Sequence, residues 1–251
     1  MRVRPSLLLV VTALAAFFVA QTAVGSPPPD TQAGAVALRP VAALSPKPLP
    51  ARPQGHRLAV VQREVGISDR PGGPSTGKLG ASTEFGSPQV VGVAASRGSW
   101  LGVVTSERPN GKLAWVRRDD ALSVRRTRWS LHADLSQRTL TLRRNGRAVR
   151  RLMVAIGRAG SDTPTGRFAV TDKIPGSRYG AYYGCCVIAL SGHQPNTPPG
   201  WTGGNRLAIH GTDSPATIGT PASAGCLRAA DADLQVLMAK VPLGTPVFIR
   251  G

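Results

Sequence analysis

Three residue types suited to acyl transfer fall within 19 positions near the end of the chain: His210, Cys226 and Arg228. A cysteine attacks as its thiolate, and with an ordinary thiol pKa of about 8.5 it needs an imidazole or a cation beside it at neutral pH. His210 can be that base. It closes the alternation Leu207-Ala208-Ile209-His210, so on a strand it faces away from the apolar pair Leu207 and Ile209. Gly225 lets backbone approach closely beside Cys226, and consecutive N–H groups on such a loop can aim at a developing oxyanion. The chemistry this combination suits is acyl transfer through a thioester. A plainer reading stands beside it, because most free cysteines are buried small hydrophobes and most histidines are incidental. A metal site is poorly served, since no second closely spaced pair of ligands joins His210 and Cys226.

The elements that must position these residues are mostly strands. Short apolar or alternating runs predict strands at 58–61, 89–93, 100–104, 112–116, 166–171, 186–190, 207–209 and 246–249, punctuated by Gly, Pro and Asn turns. Leu140 and Leu142 are separated from Leu152, Val154 and Ile156 by Asn145-Gly146, a dipeptide suited to positive φ at both centres of a tight hairpin. One helix is predicted. It starts near Asp231, places Leu234, Leu237, Met238 and Val241 on one face, and stops at Pro242 and Gly244. With Gly at 29 and Pro at 22 of 251 positions and aromatics at 5%, an all-helical protein is excluded, while 41% apolar residues suffice for a core.

Charge and composition divide the chain. Arg2 and Arg4 precede an apolar run from Leu7 to Ala20, and small residues follow, the layout of a secretory signal over 1–25. Residues 26–57 hold eight prolines and no sustained apolar period, which predicts an extended linker. Residues 58–122 read as a small β-barrel module of net charge +2. Its segment from Arg108 to Val116 resembles the turn and Trp-Val strand of bacterial Src-homology-3-like modules. From Ser123 to Gly160 there are ten arginines against Asp134 alone, net +9, half of the chain's total of +18. Such an imbalance points to polyanionic surroundings, and export favours an acidic wall polymer over nucleic acid.

The residues around Cys226 then resemble a known family, the L,D-transpeptidase (YkuD-like) catalytic domains of bacterial cell walls. The signature there is His-Gly, then Ser/Thr-x-Gly-Cys, then Asn or Arg one apolar residue on; this chain supplies His210-Gly211-Thr212 and Ser223-Ala224-Gly225-Cys226-Leu227-Arg228. Upstream, Ala133-Asp134-Leu135-Ser136, Asn145-Gly146 and Thr163-Pro164-Thr165-Gly166 resemble the domain's opening strands and Thr-Pro-x-Gly turn, and 243–249 its closing strand. The catalytic domain is therefore expected over 127–251, and the whole as a mainly β protein: a small Src-homology-3-like barrel followed by an L,D-transpeptidase β-sandwich with one helix.

The resemblance implies a secreted enzyme of the cell wall or periplasm. Its Cys226 would attack the third-residue carbonyl of a peptidoglycan stem tetrapeptide, expel the terminal D-alanine, and pass the acyl group to a side-chain amine of a second stem. His210 would take the thiol proton, its other ring nitrogen held by the Gly211 carbonyl. The N–H groups of Gly225 and Cys226 would form the oxyanion site. Arg228, Ser223 and Thr212 would shape the pocket, with Arg228 either gripping a substrate carboxylate or holding the Cys loop. The partners implied are peptidoglycan stem peptides, anionic wall polymers and penem-type β-lactams as covalent inhibitors, with no cofactor, metal or nucleic acid. An L,D-carboxypeptidase, in which water resolves the thioester, and a catalytically silent wall-binding protein are the alternatives.

Many members of that family carry a second His where Ala224 stands, so base work falls on His210 alone. Cys185 and Cys186 are adjacent and are expected as small buried core residues, because neighbouring cysteines bridge each other only with strain; the alternative is a pairing of either with Cys226, which would silence that thiol in an oxidising compartment. His56, His132 and His193 have no local partners in sequence and are expected to be incidental.

Overall fold

A computed structural model describes residues 55–119 and 121–251. The expected signal segment and all but the last residues of the expected linker lie outside them. The first strand begins at His56, inside the stretch expected as linker.

Alternation of apolar and polar residues builds the first sheet. Its strands are β1 (His56–Val61), then, after the two-stranded hairpin β2 (Val65–Ile67) and β3 (Gly77–Leu79), β4 (Val90–Arg97), β5 (Trp100–Val104), β6 (Ala114–Arg117) and β7 (Leu122–Thr127). They pair in the order β6-β5-β4-β1-β7, every contact antiparallel. Their inward residues, among them Ala59, Val91, Val103 and Val116, join Ile67 and Leu79 in one apolar core.

The second sheet comprises β8 (Trp129–Asp134), β9 (Thr139–Arg144), β10 (Arg147–Met153), β12 (Gly166–Pro175), β13 (Cys186–His193), β14 (Arg206–His210), β16 (Leu227–Arg228) and β17 (Pro246–Arg250). Between these lie the short strands β11 (Ile156–Gly157) and β15 (Pro221–Ser223), which pair with each other. The eight strands run in the order β10-β9-β8-β17-β12-β13-β14-β16, with β8/β17 and β14/β16 parallel. Leu152 from one edge and Leu227 from the other share a single core, so the sheet curls back on itself. Ala155 and Arg228 then exchange two backbone hydrogen bonds, 2.8 and 3.0 Å, across the remaining gap.

The hairpin β9–β10 turns at Asn145 and Gly146, φ 52° and 78°, as their residue types require. The predicted helix is α1 (Asp231–Lys240), with Asp231 and Asp233 in its first turn and Lys240 in its last, both favourable to the helix dipole. Leu234, Leu237 and Val241 close the core of the curled sheet. The strand expected over 166–171 continues to Pro175, through a register shift between Val170 and Asp172 that leaves the Asp172 side chain buried.

Candidate active site

β14 carries Arg206, Ala208 and His210 on one face while Leu207 and Ile209 enter the core, as strand alternation dictates. His210 is 1% exposed, and its Nδ1 lies 2.6 Å from the Gly211 carbonyl oxygen. A carbonyl only accepts, so Nδ1 carries the proton and Nε2 keeps its lone pair. The Tyr183 and Tyr182 rings pack on the imidazole at 4.9 and 5.8 Å. Behind it, the Gly211 N–H bonds to the Cys186 carbonyl at 3.1 Å, and a side chain at Gly211 would sit 2.7 Å from the Gly184 Cα and 2.8 Å from the Tyr183 oxygen.

The Cys226 loop is bound to itself and to a neighbouring segment. Ser223 Oγ donates to the Cys226 carbonyl at 2.6 Å and accepts the Gly225 N–H at 3.0 Å. Gly225 has φ 118°, and a methyl there would overlap the side-chain amide of Gln194. Gln194 Nε2 donates to the carbonyls of Asp162 (2.9 Å), Ser161 (3.2 Å) and Ala224 (3.2 Å), which straps the loop in place. Cys226 packs with Ile174, Val187 and Ala208, its Sγ 3.9 Å from the Arg206 carbonyl. It opens, with His210, Ser223, Tyr182, Tyr183 and Trp201, on a cavity of about 450 Å³.

Burial governs the electrostatics. It pushes the Cys226 thiol up, against the opposing pull of the Ala208 backbone N–H and of Arg228. It also lowers His210 to about 4, against the bond to Gly211 and with the help of Arg228. Both groups are therefore neutral near pH 7. The two are a thiol and an unprotonated imidazole lining one cavity, and not a preformed thiolate and imidazolium, so an attack by the sulfur would have to be accompanied by proton transfer.

The structure brings Cys226, His210 and Ser223 to one cavity, with Gly225 bonded to Ser223 and Gly211 bonded to His210, and places Arg228 and Thr212 off its wall. The Gly225 N–H is occupied by Ser223 Oγ, so the expected pair of oxyanion donors reduces to the Cys226 N–H. Arg228 does not reach the cavity wall: it is 8% exposed, donates to the Tyr182 hydroxyl, and lies with its guanidinium 4.6 Å from the centre of that ring. Thr212 turns outward and accepts the Ser214 N–H at 3.1 Å. Cys185 and Cys186 form a disulfide with each other, contrary to the expectation of two free core thiols, and Cys226 is the free cysteine.

His193 has structural partners far from it in sequence. Its N–H bonds to Asn110 Oδ1 at 2.9 Å, its carbonyl accepts from Asn110 Nδ2 at 2.6 Å, and its Nε2 lies 2.8 Å from the Ser106 carbonyl oxygen. His132 and His56 both pack on Phe248, and burial lowers both. Sequence reasoning missed Tyr182, Tyr183, Gln194, Trp201 and Phe85, all on the cavity wall. The run Tyr182-Tyr183-Gly184-Cys185-Cys186 wraps His210, with both Tyr rings on the imidazole and the Cys186 carbonyl on the Gly211 N–H. Among the described residues, no three of His, Cys, Asp and Glu come together in a group that could hold a metal ion.

Residues 128–249 match the family model for the L,D-transpeptidase catalytic domain, YkuD. The YkuD protein of Bacillus subtilis (strain 168) is 32% identical over 124 residues, and that of Bacillus licheniformis 31% identical over 136. These matches cover 49% and 53% of this chain, and about two thirds of the curated relatives' own length, 66% and 70%. Among solved structures, L,D-transpeptidase 3 from Mycobacterium tuberculosis, in complex with a faropenem-derived adduct, aligns with a TM-score of 0.41 at 16% identity, over 65% of this chain and 91% of that one. An L,D-transpeptidase from Mycobacterium smegmatis aligns with a TM-score of 0.39 at 18% identity, over 57% of this chain and 76% of that one.

Proposed function

This chain belongs to the L,D-transpeptidase (YkuD) family, and from that premise we propose that it is a secreted acyltransferase that cross-links third-position residues of peptidoglycan stems through a thioester on Cys226. The observation that carries the proposal is the opening of Cys226 and of a His210 with its Nδ1 proton held by Gly211 onto one cavity.

In this reading the tetrapeptide donor enters the cavity with its third-residue carbonyl carbon at Cys226 Sγ. As the C–S bond forms, the thiol proton passes to His210 Nε2, and the carbonyl oxygen gains negative charge beside the Cys226 N–H. The tetrahedral intermediate collapses, the C–N bond to D-alanine breaks, and His210 returns the proton to the departing amine. An amine from a second stem then attacks the thioester carbon, loses a proton to His210, and displaces the Cys226 sulfur, which takes that proton back as the thiol. Arg228 contributes through space: burial keeps His210 neutral, and the positive charge of Arg228 adds to that and favours negative charge on the sulfur.

The secreted location rests on Arg2, Arg4 and the apolar run that follows, and the Cys185–Cys186 disulfide suits an oxidising compartment. Anionic wall polymers are the proposed surroundings of the arginine-rich sheet face, and penem-type β-lactams the proposed covalent inhibitors of Cys226. The test is the intact mass of the protein after incubation with a tetrapeptide stem. The expected adduct is the donor less D-alanine, present in the wild type and absent in Cys226→Ala. Dimeric products upon addition of acceptor indicate transfer; trimmed tripeptides alone would make the protein an L,D-carboxypeptidase; no adduct, with tetrapeptide or penem, would leave a wall-binding protein.

A further inference from the structure

The cavity that holds Cys226 is not walled by the curled sheet alone. The loop between β3 and β4, in the other sheet's module, sends Phe85 into it, against the apolar cluster of Ile174, Val187 and Ala208 that also contacts Tyr183 and Cys226. That loop is rigid by its own bonds: Thr83 N–H to the Ser87 carbonyl (2.8 Å), Ser87 N–H to Thr83 Oγ1 (3.0 Å), and Gly86 N–H to the Thr83 carbonyl (3.0 Å).

It is also fastened on both sides of Phe85. Thr83 Oγ1 donates to the buried Asp172, and the Glu84 carboxylate pairs with Arg206. Arg206 lies with its guanidinium 5.6 Å from the centre of the Phe85 ring. It is fully engaged below, since Nε and Nη2 donate to the Leu190 carbonyl (3.2 and 2.8 Å) and Nη2 to Thr171 Oγ1 (3.1 Å). With its other terminal nitrogen on Glu84, Arg206 has no donor pair to offer a substrate carboxylate, and it acts as the platform for Phe85. A second clamp, Asn110 on the His193 backbone, holds the same module next to Gln194, the residue that straps the Cys226 loop.

We infer that Phe85 is a specificity-determining residue of the acyl-donor site: the module of residues 56–127 supplies one wall of the cavity, against which the aliphatic part of a donor peptide packs beside Cys226. This rests on the transpeptidase reading. The module is thus part of the catalytic pocket and more than an attachment to it. An apolar ring at a cavity wall acts on ground-state and transition-state complexes alike, so its loss should raise KM and leave kcat nearly unchanged.

The test uses the whole chain carrying Phe85→Ala or Phe85→Leu, with two readouts: turnover of a tetrapeptide donor, and alkylation of Cys226 by iodoacetamide. Phe85→Ala should raise KM about tenfold with kcat within about threefold, Phe85→Leu should recover most of the loss, and Cys226 should alkylate several-fold faster in Phe85→Ala because the cavity is wider. A KM equal to that of an active wild type overturns the inference. If the wild type fails to turn over the tetrapeptide, the transpeptidase reading falls. Alkylation then decides: faster reaction in Phe85→Ala keeps the shared wall, and equal rates remove it.

Discussion

In the proposed mechanism Cys226 has to lose a proton to attack, and its surroundings oppose that loss, since burial raises the thiol while the same burial keeps His210 uncharged, its pKa lowered to about 4. The acylation rate should therefore hold on the acid side well below the ordinary imidazole range and fall only as His210 protonates, with a midpoint near 4 in place of 6.5. A pH profile of single-turnover acylation measures this directly. Arg228→Gln removes a positive charge that lowers both groups, so the acid limb should move to higher pH and the thiol should become harder to ionise. His210→Ala should slow acylation by roughly 10²–10⁴-fold, and an unchanged rate would take His210 out of the mechanism. The linkage to stability has a definite sign. A histidine that is neutral when folded and ordinary when unfolded favours the fold above pH 6.5, and that contribution is lost as pH falls from there toward 4. The midpoint of thermal unfolding should decline across that window in the wild type and less so in His210→Gln.

Elements held by local chemistry could be read in the chain, and those held by distant contacts could not. The β9–β10 hairpin follows from Asn145-Gly146, α1 from Leu234, Leu237 and Val241, and the face of His210 from the alternation of β14. Nothing near Tyr182 in sequence announces that it covers Arg228, or near Gln194 that it ties down Ala224, because both contacts join segments at least 30 residues apart. Of the two roles that the sequence left open for Arg228, a grip on a substrate carboxylate or a hold on the Cys loop, the bridge to Ala155 and the Tyr182 ring favour the second, and neither partner is near it in sequence. Two substitutions test these joints. Gly225→Ala would drive a methyl into the Gln194 amide at a φ that L-residues resist, shifting the loop and lowering acylation by about a hundredfold even where the fold survives. Thr83→Val leaves the buried Asp172 carboxylate without its donor, and denaturant unfolding should show a loss of about 1–3 kcal/mol.

Over the whole molecule, positive charge is concentrated where the sheet faces outward. A groove of about 430 Å³ runs over β8, β9, β10 and β17, lined by His132, Asp134, Arg143, Arg151, Phe248 and Arg250. Its one carboxylate is already satisfied: Asp134 accepts from Arg250 at 2.6 and 3.1 Å, from Ser136 at 2.7 Å and from the Gln137 N–H at 3.0 Å, which holds it at about 2. Arg143 and Arg151 remain, with Arg147 on the same hairpin, while Arg150 there pairs with Asp233 at 2.6 Å; burial, then Arg143, His56 and Arg250, lower His132, so that it adds no charge of its own. A surface of this kind attracts a phosphodiester polymer through screened, non-specific forces that reach about 10 Å at 0.1 M salt and about 3 Å at 1 M. Retention on isolated walls or on a teichoic-acid-like polymer should then fall steeply over that range. Arg143→Gln with Arg151→Gln should weaken it further at low salt while leaving turnover of a soluble tetrapeptide unchanged, because neither residue lines the Cys226 cavity. Retention that persists at 1 M salt would mean that shape or apolar contact, and not the arginine face, holds this protein to the wall.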